Sequence, residues 1–213
     1  MRETFTGSGV TYGAIGGTLA PDLLQYPPPG THPAESTVRL GSGDERFRRA
    51  ATALMTWGVQ RGSGIDVTDV QPGTGVEYRG VIFNEDGTPA AEQVHVTESV
   101  LPDDGTEYIT NGMTANLNLP LGPFTVSAPV RVVYVIDEAR RIGFAYGTMA
   151  GHPVSGEESF IVEHLDDDSV WLTIRAFYRG SEWYHRLAAP LMHRLQDKAT
   201  KQYLRALHPA GGA

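Results

Sequence analysis

The chain contains no cysteine among its 213 residues. This absence excludes disulfide bonds, a catalytic thiolate and zinc bound by cysteine side chains. The sequence also lacks an apolar run long enough for a signal peptide or for a membrane-spanning helix. We therefore expect a soluble, cytoplasmic protein without a membrane span.

Positive charge is in the minority, with 17 lysine and arginine residues against 25 aspartate and glutamate residues and a formal net charge of −8. An acidic surface repels the phosphates of nucleic acids and the headgroups of anionic membranes, so we expect no nucleic-acid partner. Hydrophobic residues make up 40% and charged residues 20%, which is typical of a globular protein. The length fits one domain over residues 1–213, and a homodimer is left open.

The stretch from residue 131 to residue 178 predicts four consecutive antiparallel strands, because apolar side chains alternate along it. Strict alternation places Tyr134 on one face with Val130 and Val132. An amphipathic helix is predicted over residues 182–207, with a kink at Pro190. This order predicts an α+β fold in which a curved antiparallel sheet wraps around a long C-terminal helix.

The rest of the chain predicts shorter elements. Residues 1–36 are rich in glycine and proline and read as an extended arm that covers part of the body. A strand at 37–40 precedes a helix at 44–57, whose apolar residues recur at spacings of three and four. Strands at 65–70 and 75–83 are predicted as a pair, and residues 84–118 as an inserted hairpin or lid.

Three local motifs carry a family resemblance: VVYV at 132–135, GFAYGT at 143–148 and GHPxxGEExF at 151–160. With these motifs the chain resembles the domain-of-unknown-function family numbered 1990. That family is similar to the START and birch-pollen-allergen superfamily, whose helix-grip fold encloses a hydrophobic cavity between the sheet and the C-terminal helix. The resemblance implies a START-like cavity here, but no settled activity accompanies it.

His152, Glu157 and Glu158 form the most informative polar cluster, and we name His152 and Glu158 as candidate catalytic residues. A carboxylate beside an imidazole can orient it and raise its pKa, as acid–base catalysis requires. Glu158 shares a strand face with Phe160, so we expect it to be buried if that face is the interior. In the alternative interpretation His152 belongs to a turn and the glutamates pair with arginines, namely Arg131, Arg140 or Arg175.

Aromatic side chains with a polar atom suit the lining of a ligand cavity. The candidate ligand-binding residues are Tyr134, Tyr146, Phe160, Tyr178, Trp183 and Tyr184. Aromatic residues at these spacings also occur as ordinary core, and that alternative stays open. The seven histidines form no HxH, HxxxH or HExxH motif, so we expect no metal site and no cofactor.

Two functions of different classes fit these observations. The first is a binding protein for a hydrophobic small molecule, either lipid-like or polyketide-like, held between the sheet and the C-terminal helix. The alternative is a cofactor-independent enzyme on the same scaffold that cyclises, dehydrates or isomerises such a metabolite by acid–base catalysis. In a third interpretation the protein's own side chains fill the interior, and the chain is an interaction protein. Two titratable groups facing one void would favour the enzyme.

Overall fold

The computed structural model describes residues 9–73, 107–121, 124–180 and Leu207. A short 3₁₀ helix at Gly17–Leu19 precedes the elements, which are β1 (His32–Ser42), α1 (Asp44–Met55), α2 (Gly58–Gly62), β2 (Asp66–Gln71), β3 (Thr114–Leu121), β4 (Phe124–Glu138), β5 (Arg141–Thr148), β6 (Val154–His164) and β7 (Ser169–Gly180). The seven strands form one antiparallel sheet in the order β1-β7-β6-β5-β4-β3-β2.

The four consecutive strands predicted from alternation are present as β4 to β7, each paired with the next. The predicted helix at 44–57 is also present, as α1, with an acidic first turn that suits the positive end of the helix dipole. The predicted C-terminal helix lies outside the described residues, apart from Leu207, which is buried in the core. Within residues 9–73, 107–121 and 124–180, no helix is long and apolar enough to cross a bilayer.

Three predicted boundaries differ from the structure. β1 begins at His32 and pairs with β7, whereas the strand was predicted to begin at residue 37. Residues 32–36 of the predicted arm therefore belong to the sheet. β2 pairs with β3, whereas its predicted partner at 75–83 lies outside the described residues. Residues 114–118 belong to β3 and lie within the sheet, which corrects this end of the predicted lid at 84–118. Residues 84–106 of that segment are not described, so for them the lid stays a prediction.

The sheet has an inner face that packs against α1 and an outer face that carries the N-terminal arm, which we define as residues 9–31. Side chains directly opposite each other on paired strands share a face. Phe144 on β5 and Phe160 on β6 are paired in this way, stack at 5.6 Å and are fully buried. The inner face therefore forms the main core, together with Phe47, Leu54 and other apolar residues of α1.

A β-bulge in β4 changes which side chains reach each face. Val132 pairs with Tyr146 on the inner face, but the register shifts so that Tyr134 pairs with Ala145 on the outer face. An extra residue in one strand reverses the alternation beyond it. The prediction that Tyr134 shares a face with Val130 and Val132 is therefore wrong.

Candidate functional site

The carboxyl group of Glu158 lies among aromatic side chains on the inner face. Tyr146 on β5 lies directly opposite Glu158 on β6, and its hydroxyl donates a hydrogen bond of 2.5 Å to Glu158 Oε2. Phe160 follows Glu158 on the same face, and its ring lies 5.6 Å from that of Tyr146. The prediction that Glu158 and Phe160 share a strand face is confirmed by this register, and the structure shows that this face is the inner one.

The environment of Glu158 alters its protonation. Burial raises the pKa of Glu158 to about 7, against the opposing effect of the hydrogen bond from Tyr146, which favours the ionised form. The carboxyl group therefore exchanges its proton close to neutral pH. A group in this range can donate a hydrogen bond as an acid or accept a proton as a base.

Two of the residues that adjoin Glu158 on the inner face are small. Ala176 lies opposite it on β7, and Gly156 precedes it on the same face of β6. A Cβ atom at Gly156 would lie 2.0 Å from the backbone oxygen of Phe177, so only glycine fits there. Glu158 remains half-buried while Phe160 is fully buried. Among the described residues, Glu158 is therefore less enclosed than the ring that follows it on the same face.

Trp57 covers the other side of the Tyr146 ring. The two rings stack at 6.3 Å, and Trp57 also meets the Phe144 ring edge-on at 5.4 Å. The sequence predicted Trp57 only as the last residue of the helix at 44–57, so its place in this site was not predicted. One feature of the sequence marks this position: Gly58 follows Trp57 at the end of the predicted helix. Glycine commonly ends a helix, and the chain changes direction there.

The neighbouring carboxyl group, that of Glu157, points to the outer face, since successive residues of a strand alternate. Glu157 is 3% exposed and accepts hydrogen bonds from the N-terminal arm. The donors are the Tyr12 hydroxyl at 2.6 Å, the Gly16 amide at 2.8 Å, the Thr18 amide at 3.0 Å and the Thr18 hydroxyl at 2.5 Å. Burial and the adjacent Glu157 charge raise the pKa of Tyr12. Glu157 thus holds the arm on the sheet.

His152 lies in the turn before β6. Its Nδ1 accepts a hydrogen bond of 3.1 Å from the Val154 amide, and burial lowers the pKa of His152 to about 4. The imidazole is therefore neutral at physiological pH. Within the described part of the chain, the hydrogen bonds of Glu157 and Glu158 come from other residues, so the structure supports the turn interpretation for His152. Arg175, one of the arginines that the alternative interpretation paired with these glutamates, forms its ion pair with Glu35 instead.

The candidate ligand-binding residues separate into three groups. Tyr146 and Phe160 lie on the inner face beside Glu158. Tyr134 lies on the outer face, where its hydroxyl and that of Thr18 are 2.7 Å apart, and burial raises the pKa of Tyr134 to about 12. Tyr178 lies near the end of β7 with its ring 6.2 Å from that of His32. Trp183 and Tyr184 lie outside the described residues.

Among the residues described, no group of three His, Asp or Glu side chains is arranged to hold a metal ion.

The raised pKa of Glu158 predicts a specific pH dependence of stability. The folded-state pKa, about 7, exceeds the ordinary value of 4.5, so the folded state binds more protons between these pH values. The free energy of unfolding should therefore fall by about 3 kcal/mol, relative to a Glu158→Gln variant, as the pH rises through this window. Urea denaturation of both proteins at several pH values measures the difference.

Glu163→Gln is the matched control for this measurement, because Glu163 lies on the same strand but pairs with Arg141 at the surface. Its difference from the wild type should stay small throughout the same pH range. A Glu158→Gln difference that does not change between pH 4 and pH 8 would contradict the raised pKa.

Comparison with known proteins places the chain near uncharacterised relatives. The family described as Domain of unknown function (DUF1990) matches residues 11–100 and 91–206. A UPF0548 protein from Deinococcus radiodurans is 40% identical over 82 residues, covering 38% of this chain and 41% of the relative. A UPF0548 protein from Arabidopsis thaliana is 29% identical over 160 residues, covering 72% of this chain and 60% of the relative. The chain thus spans less than two thirds of the length of these curated relatives.

Solved structures show the fold at low sequence identity. A hypothetical protein from Helicobacter pylori is similar with a TM-score of 0.52 and 10% identity, covering 98% of this chain and 99% of that one. A START superfamily protein from Mycobacterium smegmatis is similar with a TM-score of 0.46 and 12% identity, covering 84% of this chain and 95% of that one. At these identities the likeness concerns the fold alone.

Proposed function

The chain belongs to the DUF1990 family, and we propose that it binds a hydrophobic small molecule on the inner face of the sheet, with a polar group of the ligand at the Tyr146–Glu158 pair. The observation that carries this proposal is the half-buried carboxyl group that lies among the aromatic rings of Tyr146 and Phe160. Ligand sites combine an apolar lining with a few polar groups that fix orientation. Lipid-like and polyketide-like molecules have this division between apolar body and polar group.

The local packing supports a ligand at this place. Burial disfavours the ionised form of a carboxyl group, and carboxyl groups whose pKa is raised in this way are common at functional sites. Tyr146 supplies the hydrogen bond that Glu158 receives, and its ring is fixed by Trp57. Gly156 and Ala176, which adjoin Glu158 on the same face, contribute little side-chain volume there. Tyr178 opposite Gly156 adds a further aromatic ring to that face. A ligand placed there would touch aromatic rings along its body and the carboxyl group at one end.

A second candidate function is cofactor-independent acid–base catalysis, and the pKa of Glu158 favours it. A carboxyl group that titrates near pH 7 can move a proton during a cyclisation, a dehydration or an isomerisation. In this reaction class Glu158 would be the proton donor or acceptor and Tyr146 the group that orients it.

Nile red, a neutral fluorescent dye, tests the binding proposal directly. We expect the protein to bind it, and Ala176→Leu to weaken binding about tenfold, because a larger side chain beside Glu158 overlaps the ligand. Thr173→Leu is the matched control, since Thr173 lies on the outer face of the same strand and should leave the affinity unchanged. Circular dichroism verifies that both variants are folded.

Native mass spectrometry of the purified protein supplies the ligand's identity. A co-purified hydrophobic molecule supports the binding proposal, and its turnover can then be assayed. Turnover that is lost in Glu158→Gln, while the affinity for Nile red is retained, would support the catalytic candidate. A protein that carries no small molecule and takes up no Nile red would refute both functions and favour the interaction-protein interpretation.

A further inference from the structure

Two buried polar side chains at the corner between α1 and α2 have no hydrogen-bond partner within the described residues. They are Trp57, which is 2% exposed, and Gln60, which is fully buried. The unpaired atoms are the indole Nε1 of Trp57 and both Nε2 and Oε1 of the Gln60 amide. Buried polar groups are nearly always paired, and each unpaired group costs about 1–3 kcal/mol. Three such atoms within four residues therefore require an explanation.

This corner adjoins the proposed ligand site. The Trp57 ring stacks on Tyr146, whose hydroxyl binds Glu158. Gln60 lies three residues after Trp57, within α2, whose N-cap residue is Trp57. The unpaired indole group therefore belongs to the ring that packs beside the Tyr146–Glu158 pair, and the unpaired amide group follows it three residues along the chain.

The backbone at this corner is strained in a way that fixes the indole. Trp57 has a φ of 62°, in the left-handed region that costs a residue with a large side chain about 1–2 kcal/mol. A Cβ atom at the following Gly58 would lie 2.4 Å from the backbone oxygen of Ala53, so the chain needs glycine there. Strained backbone of this kind persists where the surrounding structure holds it, and it is common at ligand sites.

We propose that Trp57 and Gln60 form the polar end of the ligand site and select hydrophobic molecules that carry a carbonyl oxygen. The indole N–H and the amide N–H are donors, and a carbonyl oxygen accepts two hydrogen bonds. A ligand without that oxygen leaves both donors buried and unpaired, which is how protein sites discriminate strongly between otherwise similar molecules. This inference rests on the proposed function, because it names the ligand chemistry of the same site.

A matched pair of probes tests the selection. Acetylnaphthalene and ethylnaphthalene have nearly the same shape, but only the first carries a carbonyl oxygen. In competition with Nile red, we expect the wild-type protein to bind acetylnaphthalene about tenfold more tightly than ethylnaphthalene. The preference should be lost in Gln60→Leu and in Trp57→Phe, with the affinity for ethylnaphthalene nearly unchanged in Gln60→Leu. That leucine removes unpaired polar atoms from the core, so this variant should fold.

Two control variants separate this role from general effects of the substitutions. Trp171→Phe is matched to Trp57→Phe, because the Trp171 indole lies on the outer face and donates to Ser169 Oγ at 2.8 Å. Gln71→Leu is matched to Gln60→Leu, because Gln71 is exposed at the end of β2. Both controls should keep the tenfold preference.

The outcomes distinguish this inference from the proposed function. Equal affinity of the wild type for the two naphthalenes would overturn the selection by a carbonyl oxygen and leave the hydrophobic site standing. A preference that is retained in Gln60→Leu or in Trp57→Phe would overturn the role of that side chain. If neither naphthalene competes and Nile red does not bind, the proposed function itself fails.

Discussion

Replacement of Glu157 by alanine should lower the free energy of unfolding by about 3–5 kcal/mol and release the N-terminal arm from the sheet. The Glu157 carboxylate accepts four hydrogen bonds from the arm while almost completely buried. Alanine would leave the Tyr12 hydroxyl and the amides of Gly16 and Thr18 without their acceptor. These groups must then either stay buried without a hydrogen-bond acceptor or move into water. Movement into water detaches the arm from the sheet.

Other contacts of the arm depend on the position that Glu157 fixes. Arg175 donates to the backbone oxygens of Thr18 and Ala20 at 2.8 Å and 2.7 Å. The Tyr12 ring meets the Phe177 ring edge-on at 5.5 Å. Because these contacts surround the carboxylate, its removal should weaken them together, which is why we expect a loss larger than that of one hydrogen bond.

Urea denaturation measures the stability change, and limited proteolysis measures the release of the arm. The variant should unfold at a lower urea concentration and should be cleaved within residues 9–31 faster than the wild type. Glu163→Gln, a change to a partly exposed glutamate of the same strand, should alter stability by less than about 1 kcal/mol. A Glu157→Ala protein with wild-type stability and an equally protected arm would show that the carboxylate does not hold the arm.

The alternation of apolar residues predicted strands β4 to β7, because side chains in a β-strand point to opposite faces of the sheet at every second residue. Residues of β6 and β7 alternate between a core face and an outer face without interruption, and alternation is visible in sequence. The same reasoning placed Glu158 and Phe160 on one strand face. The sequence also predicted α1, because its buried residues recur at the three- and four-residue spacing of one helix face.

The parts that the sequence did not predict depend on distant contacts. The bulge that turns Tyr134 outward has no glycine or proline to mark it. Tyr12 and Thr18 reach Glu157 from about 140 positions away, as the separations of 145 and 139 residues show. The left-handed conformation of Trp57, whose ring stacks on Tyr146, was not predicted either. Such features arise only when the sheet and the arm have come together.

Replacement of Phe160 by alanine should lower the free energy of unfolding by about 3–5 kcal/mol. Phe160 is fully buried at the centre of the inner face, where its ring stacks on Phe144 and lies beside Tyr146. Alanine removes the apolar area that the ring buries and also leaves a cavity, because a paired β-strand cannot move inward to fill the space.

The control for this variant is Phe124→Ala at the start of β4, because the Phe124 side chain is 71% exposed. The same chemical change there should alter stability by less than about 0.5 kcal/mol. Urea denaturation of both variants compares a buried with an exposed ring, and Phe160→Leu should fall between them because leucine fills most of the space. If Phe160→Ala and Phe124→Ala lost equal stability, the Phe144–Phe160 stack would not be the centre of the core.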